Sequence, residues 1–242
     1  MNIEEFSSEF DTLLSSNDSF KEFISNETNS SIGFDEFEKS VFLTNAQEEL
    51  VVNLYSGSVL NGFENTERNR RYLDGLLQVD KRIELADFSQ AVYVPKAGLL
   101  SYEVDLTKDN DTAKMLYIIY ESVNFEDRSL KCGDGKTVTV YPVRHDELAQ
   151  IVKNPFRGAN ASRVLRIDVG YKKVELLSSF KLGTYFISFL KKPTPIILAN
   201  LEEQTIDGYH EPMDCILDSS LHRLILELAV QKALASKGLN KQ

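Results

Sequence analysis

The densest group of side chains that could carry out chemistry lies between residues 145 and 170. A histidine and two carboxylates stand directly before a loop that holds an Asn-Pro pair, a glycine and two arginines. Such a cluster could be a catalytic centre, or it could be the bend that feeds one strand into a sheet. Its members are His145, Asp146, Glu147, Asn154, Arg157 and Arg163.

Local backbone chemistry favours the bend. The acids at 146 and 147 suit the start of a short helix, because its dipole attracts negative charge there. Asn154-Pro155 ends this helix, since a residue before proline avoids helical geometry. We expect Phe156 to anchor the loop in the core and Gly158 to permit a tight turn. The two arginines then bond loop carbonyls or carboxylates of a neighbouring chain.

Three other candidate motifs lack residues that their chemistry needs. The stretch CGDGKT ends like a phosphate-binding loop, but Leu130 stands where the first glycine is required. The stretch that begins at Asp109 resembles a calcium loop, yet Tyr120 occupies the position of the bidentate glutamate. His210, Cys215 and His222 do not have the spacing of a structural zinc site. The sequence therefore predicts no metal, no cofactor and no enzymatic activity.

The formal charge is concentrated at one end of the chain. Residues 1–50 hold twelve acidic and two basic residues, whereas the remainder is balanced, and the whole chain carries −10. This asymmetry predicts a solvated helical face, docking onto a basic partner, or repulsion of nucleic acid. The two cysteines do not form a disulfide framework. No apolar run approaches the roughly 20 residues that span a bilayer, and the first residues lack the basic region of a signal peptide.

Hydrophobic periodicity places helices at both ends of the chain and strands between them. The segment 115–125 fits either a buried strand or a short helix, and Asp134-Gly135 and Gly170 mark hairpin turns. The prolines of KKPTPIIL belong at a sheet edge, a bulge or a strand end, because they cannot donate ladder hydrogen bonds. The predicted helices cover residues 3–14, 34–56 with a break at Thr44, 66–79 with Leu77 inward, and 145–153. A last helix is predicted to be capped by Asp218 or Ser219 and stopped by Gly238. Its apolar face is lined by Leu221, Leu224, Ile225, Leu228, Ala229 and Ala233.

These elements predict an α+β fold with an N-terminal helical segment, antiparallel β-hairpins and a long C-terminal amphipathic helix. A Ser- and Asn-rich stretch over residues 15–33 indicates a boundary. We therefore expect an acidic N-terminal helical arm and flexible segment over 1–33, followed by an α+β domain over 34–242.

Five segments, taken in order, resemble a virion protein of crAss-like tailed bacteriophages, of the neck ring or head–tail connector type. The order of the segments is more specific than any one of them. They are FEKSVFLTNAQEELV (37–51), YPVRHDELAQIVKNPFR (141–157), VLRIDVG (164–170), YFISFLKKPTPIIL (185–198) and CILDSSLHRLILELAVQKAL (215–234).

The resemblance implies a non-enzymatic subunit of the portal–tail connector. Such subunits form homo-oligomeric rings, commonly of twelve copies, that contact the portal protein and neighbouring neck or tail rings. DNA passes through the ring without sequence-specific binding, and no membrane or cofactor is involved. The implied location is the virion neck or tail, with assembly in the host bacterial cytoplasm. An internal cargo protein or a tail-fibre adaptor of the same virion is the alternative, and a small hydrolase is a more distant one.

We expect three groups of residues to serve assembly. The first shapes the N-terminal helices, the second forms the bend before residue 158, and the third forms a strand edge used to clasp a neighbour. The groups are Glu38, Lys39 and Thr44; Asn154, Pro155, Phe156 and Arg157; and Lys191, Lys192, Pro193 and Pro195.

Overall fold

The computed structural model describes residues 1–17, 20–21, 33–56, 71–85, 89–90, 99–202 and 204–239. The chain divides into two compact units. The first combines Met1–Leu76 with Lys192–Gln242 and is helical, and the second, Leu77–Lys191, is built on a sheet. Helices and a mixed sheet are both present, so the predicted α+β class is confirmed. The division into residues 1–33 and 34–242 stays a prediction.

Helix α1, Ile3–Ser16, begins the helical unit where the sequence predicts it. Asn2 accepts a hydrogen bond from the backbone nitrogen of Glu5, and the Glu5 carboxylate accepts one from that of Asn2. This reciprocal capping box satisfies two amide donors that the first turn leaves free. The helix buries Phe6, Phe10 and Leu14, so α1 packs against the other helices of its own unit.

Helix α2, Glu36–Ser56, is one unbroken helix of 21 residues. The break predicted at Thr44 is therefore wrong. A capping box does form, but at the start of the helix, where Asp35 and Glu38 each bond the other's backbone nitrogen at 2.7 and 3.2 Å. Thr44 and Gln47 are buried in the helix middle, where their side chains bond another segment of the chain.

The predicted helix over 66–79 does not continue to residue 79. Leu73 and Leu76 are buried as expected, but a strand begins at Leu77, whose side chain is exposed rather than inward. Pairing with a distant strand decides the conformation there, since tertiary contacts override a weak local preference. Residues 66–70 lie outside the described residues.

The last helix has the predicted cap and stop. Asp218 accepts a hydrogen bond from the backbone nitrogen of Ser220 at the start of a short 3₁₀ turn, Ser219–Leu221. Helix α5, His222–Ser236, follows, and Gly238 terminates it at φ 74°. The helix is 15 residues long and buries a broader stripe than predicted. Leu221, Ile225, Ala229 and Ala233 are buried as expected, Leu224 and Leu228 are half-buried, and Leu226, Val230 and Leu234 are also buried.

The sheet of the second unit has eight strands among the described residues, in the order β1-β8-β4-β5-β6-β7-β3-β2. The ambiguous segment 115–125 is a strand. The stretch AVYVP (91–95), which the sequence also predicts as a strand, lies outside the described residues. The strands are β1 (Leu77–Glu84), β2 (Ser89–Gln90), β3 (Leu100–Asp105), β4 (Met115–Phe125), β5 (Thr137–Pro142), β6 (Val164–Gly170), β7 (Lys173–Ser178) and β8 (Leu182–Lys191).

The pairing is mixed, whereas antiparallel hairpins alone were predicted. Strands β5 and β6 run parallel, with Val140 opposite Val164. A parallel pair needs a crossover connection, and the crossover contains helix α4, Leu148–Lys153. The other described pairings are antiparallel. A short helix α3, Asn110–Ala113, precedes β4.

The hairpin turn predicted at Gly170 is present. Strands β4 and β5 are also neighbours, but residues 126–136 join them and include a 3₁₀ turn at Arg128–Gly133, so Asp134-Gly135 is not by itself the turn. Gly135 adopts φ 75° between β4 and β5, and Gly170 adopts φ 102° at the end of β6. At the tip between β6 and β7, Tyr171 and Lys172 also have positive φ, 49° and 57°. Left-handed geometry at two consecutive positions suits the twist of a tight hairpin, but side chains other than glycine, asparagine or aspartate rarely occupy it.

The sheet curls around a core of its own. The hydroxyl of Tyr102 on β3 accepts a hydrogen bond from the backbone nitrogen of Leu182 on β8, at 2.9 Å. These strands are not neighbours in the sheet, so the contact closes the interior. Tyr185, Ile187 and Phe189 fill it. On the outer face, α4 places Leu148 and Val152 against Leu165, Ile167 and Leu177.

Candidate assembly site

The loop between α4 and β6 forms a rigid bend, which we call the exposed corner (residues 153–163). Asn154 ends α4 in an extended conformation, as expected for a residue before proline. Its side-chain oxygen accepts hydrogen bonds from the backbone nitrogens of Phe156 and Arg157, at 2.9 and 3.2 Å. Its backbone oxygen accepts one from the nitrogen of Gly158, at 2.8 Å. One asparagine thus fixes the next four residues.

Gly158 is required in the exposed corner because there is no room for a side chain. A Cβ atom at this position would lie 2.9 Å from the backbone oxygen of Asn154 and 3.2 Å from that of Val152. The predicted role of this glycine in a tight turn is confirmed. Its requirement comes from close approach of backbone atoms.

Arg163 holds the other side of the exposed corner. Its guanidinium lies 4.2 Å from the ring centroid of Tyr141, the range of a cation–π contact. Its Nη1 atom donates to the backbone oxygens of Phe156 and Arg157, at 3.4 and 3.3 Å. The expectation that this arginine bonds loop carbonyls is therefore confirmed.

The sequence predicts that Phe156 anchors the loop in the core, and this prediction is wrong. Its side chain is 86% exposed. The reason lies in the local geometry: the backbone bonds to Asn154 set the direction of residue 156. Val152 and Ala159, which flank the bend in sequence, are the buried apolar residues of this region. An exposed aromatic ring on a hydrogen-bonded backbone is a candidate interface residue, because it can bury a large apolar area with little further loss of conformational freedom.

The exposed corner is also basic. Residues 148–167 contain four basic residues and no acidic residue. Lys153 and Arg157 are exposed, and Arg163 is half-buried. Arg166 is buried and donates to the carboxylate of Glu121 at 2.8 Å, so its charge is compensated inside the sheet. The corner therefore presents a ring beside positive charges.

The histidine of the cluster has a structural contact. A ring nitrogen of His145 lies 2.7 Å from the backbone oxygen of Asp168, which joins the segment before α4 to β6. In the described part of the chain, no three His, Cys, Asp or Glu residues are grouped so that they could hold a metal ion. Cys215 donates to the side-chain oxygen of Gln47, and burial raises the pKa of its thiol to about 11.

A second arrangement brings α2 together with the segment 192–198, which we call the strap. Ser40, Thr44 and Gln47 lie on one face of α2 and bond the strap backbone. The Ser40 hydroxyl accepts from the nitrogen of Leu198 at 2.9 Å, and the Gln47 amide donates to the oxygen of Thr194 at 2.7 Å. Thr44 both accepts from the nitrogen of Ile196 and donates to its oxygen.

The strap explains the two prolines of the predicted edge. They follow the end of β8 at Lys191, one of the positions the sequence allowed. The bonded residues 194, 196 and 198 alternate with Pro193 and Pro195, which have no backbone N–H to satisfy. Both prolines are buried. The signal for this arrangement was available, since polar residues recur at helical spacing on the buried face of α2.

The remaining predicted assembly residues have partners within their own unit, and their contact with a neighbouring subunit stays a prediction. Lys39 is buried and donates to Asp11 and Glu36, at 2.7 and 3.0 Å. Lys192 lies within 2.9 Å of the carboxylates of Glu48 and Asp207. In the sheet unit, Lys191 pairs with Asp111 at 2.6 Å.

Comparisons with known proteins cover the whole chain. A family model described as phage tail ring protein 3/4 matches residues 1–242. The chain is 39% identical over 241 residues to "Ring protein 3" of Bacteroides phage crAss001, covering 98% of this chain and 96% of that protein. It is 28% identical over 251 residues to "Ring protein 4/5" of the same phage, covering 98% and 93%.

Across the ranges that the structure describes, no helix has the length and apolar character to span a membrane. The match to the family model and to Ring protein 3 agrees with the resemblance carried by the five sequence segments. The chain belongs to the phage tail ring protein 3/4 family and is a structural component of a crAss-like phage virion.

Proposed function

We propose that the protein is a ring subunit at the head–tail connector, through which the phage DNA passes. The observation that carries this proposal is the full-length match to ring proteins of the tail, since it includes both units of the chain. In the proposal, twelve copies form a homo-oligomeric ring that contacts the portal protein and neighbouring neck or tail rings. The ring is assembled in the host cytoplasm and resides at the neck of the virion.

A head-to-tail ring needs two different surfaces on every subunit, because its contacts are heterologous. The exposed corner has the properties of one such surface: Phe156 stands out from a fixed backbone beside Lys153 and Arg157. Asn154 and Pro155 serve by shaping the corner. Glu38, Lys39, Thr44 and the residues from Lys191 to Pro195 serve by fixing α2, the strap and the end of β8.

The charge of the chain fits a channel that DNA crosses without sequence-specific binding. The formal net charge is −10. Affinity for duplex DNA rises with the number of phosphates that basic residues neutralise. An acidic subunit with few clustered bases keeps that number small, so DNA moves past it without strong attachment.

The test is electron-microscopic class averaging of the purified protein, alone and mixed with its cognate portal protein. A closed ring in either sample is the expected result, and its symmetry gives the copy number directly. A ring that appears only with the portal would identify the portal as the template. Monomers in both samples would contradict the proposal and favour a cargo protein or a tail-fibre adaptor.

A further inference from the structure

We propose that the exposed corner of one copy binds the outward face of α1 in the next copy. This inference rests on the proposed ring, and it names the second of the two surfaces that a ring subunit needs. The exposed corner supplies positive charge and an aromatic ring. Helix α1 supplies negative charge and a smooth surface on which that ring can lie.

The outward face of α1 is strongly acidic. Residues 1–17 contain four acids and no lysine or arginine. Glu4, Glu5 and Glu9 are exposed, and Asp11 is already paired with the buried Lys39 at 2.7 Å. Glu5 and Glu9 are four residues apart and so lie on the same side of the helix. The Glu5 carboxylate also accepts from the backbone nitrogen of Asn2 and lies 3.9 Å from the N-terminal ammonium, so Glu9 is the carboxylate that we assign to Arg157 of another copy.

Beside these carboxylates, the surface of α1 consists of small side chains whose hydroxyl groups bond the backbone of the helix itself. Ser8 and Thr12 are exposed, yet the Ser8 hydroxyl donates to the backbone oxygen of Glu5 and that of Thr12 to the oxygen of Ser8. The hydroxyl groups are therefore occupied by the helix itself. The CH₂ of Ser8 and the methyl of Thr12 remain for apolar contact, and they suit the face of the Phe156 ring.

A second copy fits the corner better than DNA does. The corner offers only Lys153, Arg157 and Arg163 as bases, and one of these already stacks on Tyr141. A chain of net charge −10 repels phosphate over the range set by ionic strength. In a closed ring, every corner also meets one α1, so opposite charges are paired around the whole ring.

The contact between the exposed corner and α1 can be tested by reversing the charge on each side alone and then on both sides together, which should restore it. Arg157→Glu and Glu9→Lys are each made alone and then together, and ring content is measured by class averaging and sedimentation velocity. Each single variant places like charges opposite each other, so we expect the apparent association constant for one contact to fall about tenfold or more. The double variant restores opposite charges and should return to within about threefold of the unmodified protein.

Controls separate assembly from folding. Lys136→Glu reverses another exposed base of the sheet unit and should leave ring content unchanged. All variants should keep the thermal midpoint of the unmodified protein. Where a reversal unfolds the chain, Arg157→Gln and Glu9→Gln provide a milder pair, for which each neutral change should weaken assembly in low salt more than in high salt.

Several outcomes would overturn the inference while leaving the ring intact. These are single variants that assemble normally, and a double variant that assembles no better than the single ones. A corner variant that forms rings but no longer retains duplex DNA in a filter assay would identify DNA as the partner. The proposed ring itself fails in a different way, when the unmodified protein stays monomeric with and without the portal.

Discussion

The hydroxyl of Thr44 lies 3.1 Å from the backbone nitrogen of Ile196 and 3.3 Å from its backbone oxygen. One side chain thus satisfies both polar groups of a buried residue in the strap. Ser40 and Gln47 each satisfy one further backbone group of the strap, the nitrogen of Leu198 and the oxygen of Thr194. A helix face here takes the place of a neighbouring β-strand, which is how an extended segment with two prolines can be buried.

Thr44→Val tests this arrangement with almost no change in side-chain volume. Loss of the hydroxyl leaves the nitrogen and oxygen of Ile196 buried without their partner, and each such group costs about 1–3 kcal/mol. We expect the free energy of unfolding to fall by about 2 kcal/mol in urea denaturation. Thr12→Val, on the exposed side of α1, should change it by less than about 0.5 kcal/mol. Equal effects of the two substitutions would mean that the strap does not depend on Thr44.

The interior of the sheet unit contains a buried ion pair that can be tested by removing one or both partners. Glu121 accepts from Arg166 at 2.8 Å and from the hydroxyl of Tyr185. Glu121→Ala leaves the buried arginine with only the exposed carboxylate of Asp168, 3.4 Å from its Nε, so we expect a loss of about 3 kcal/mol. Replacing Glu121 and Arg166 together by methionine should be nearly neutral. A double variant as unstable as Glu121→Ala would show that the pair itself stabilises the fold.

The hairpin tip between β6 and β7 offers a substitution that should stabilise the protein. Tyr171 has φ 49° and its side chain is 95% exposed, so it bears the cost of left-handed geometry with almost no burial in return. Tyr171→Asn should raise the free energy of unfolding by about 0.5–1 kcal/mol, because asparagine tolerates this conformation. Tyr171→Phe keeps the strain and should be neutral. A destabilised asparagine variant would reveal a contact of the tyrosine ring within the chain.

His222 should make stability depend on pH. It is buried, a ring nitrogen lies 3.0 Å from the backbone oxygen of Leu217, and burial lowers its pKa below the ordinary value of 6.5. As pH falls below about 6.5, the unfolded chain takes up a proton that the folded chain resists, so stability decreases through that window until the folded pKa is reached. His222→Gln should reduce this slope in urea denaturation between about pH 7.5 and pH 5. An unchanged slope would exclude His222 as its source.

Arg157→Ala should impair assembly more than folding. The side chain is exposed on a corner whose backbone is held by Asn154 and Arg163. Truncation of an interface arginine commonly costs more than about 1 kcal/mol of binding energy, so ring yield should drop about tenfold while the melting temperature stays constant. Lys136→Ala serves as the matched control. Normal ring yield with a lower melting temperature would assign Arg157 a structural role instead.

Local chemistry predicts the boundaries of several elements well. Asp218 caps the last helix, Gly238 ends it, and Gly170 occupies a hairpin turn with positive φ. Each of these signals acts through backbone geometry within a few residues. Nothing from elsewhere in the fold has to be known to read them.

The wrong predictions depend on partners that are distant in sequence. Thr44 looks like a cap because its bond to Ile196, 152 positions away, cannot be seen in the sequence. Leu77 continues a helical pattern, yet it pairs with Leu190 in the sheet. Phe156 looks like a core residue because the sequence shows its apolar character and not the bonds from Asn154 that direct it outward. The sequence therefore predicts the bend of the exposed corner correctly, but it does not predict that Phe156 lies on the surface of that corner.

The helical unit is built from both ends of the chain, Met1–Leu76 and Lys192–Gln242. The ring of Phe6 lies 5.2 Å from that of His222. During synthesis at about 5–20 residues per second, the roughly 200 positions between them delay this contact by about 10–40 s. Until α5 has emerged from the ribosome, the buried face of α1 lacks its partner. A growing chain therefore cannot complete its helical unit before its last helix has been made.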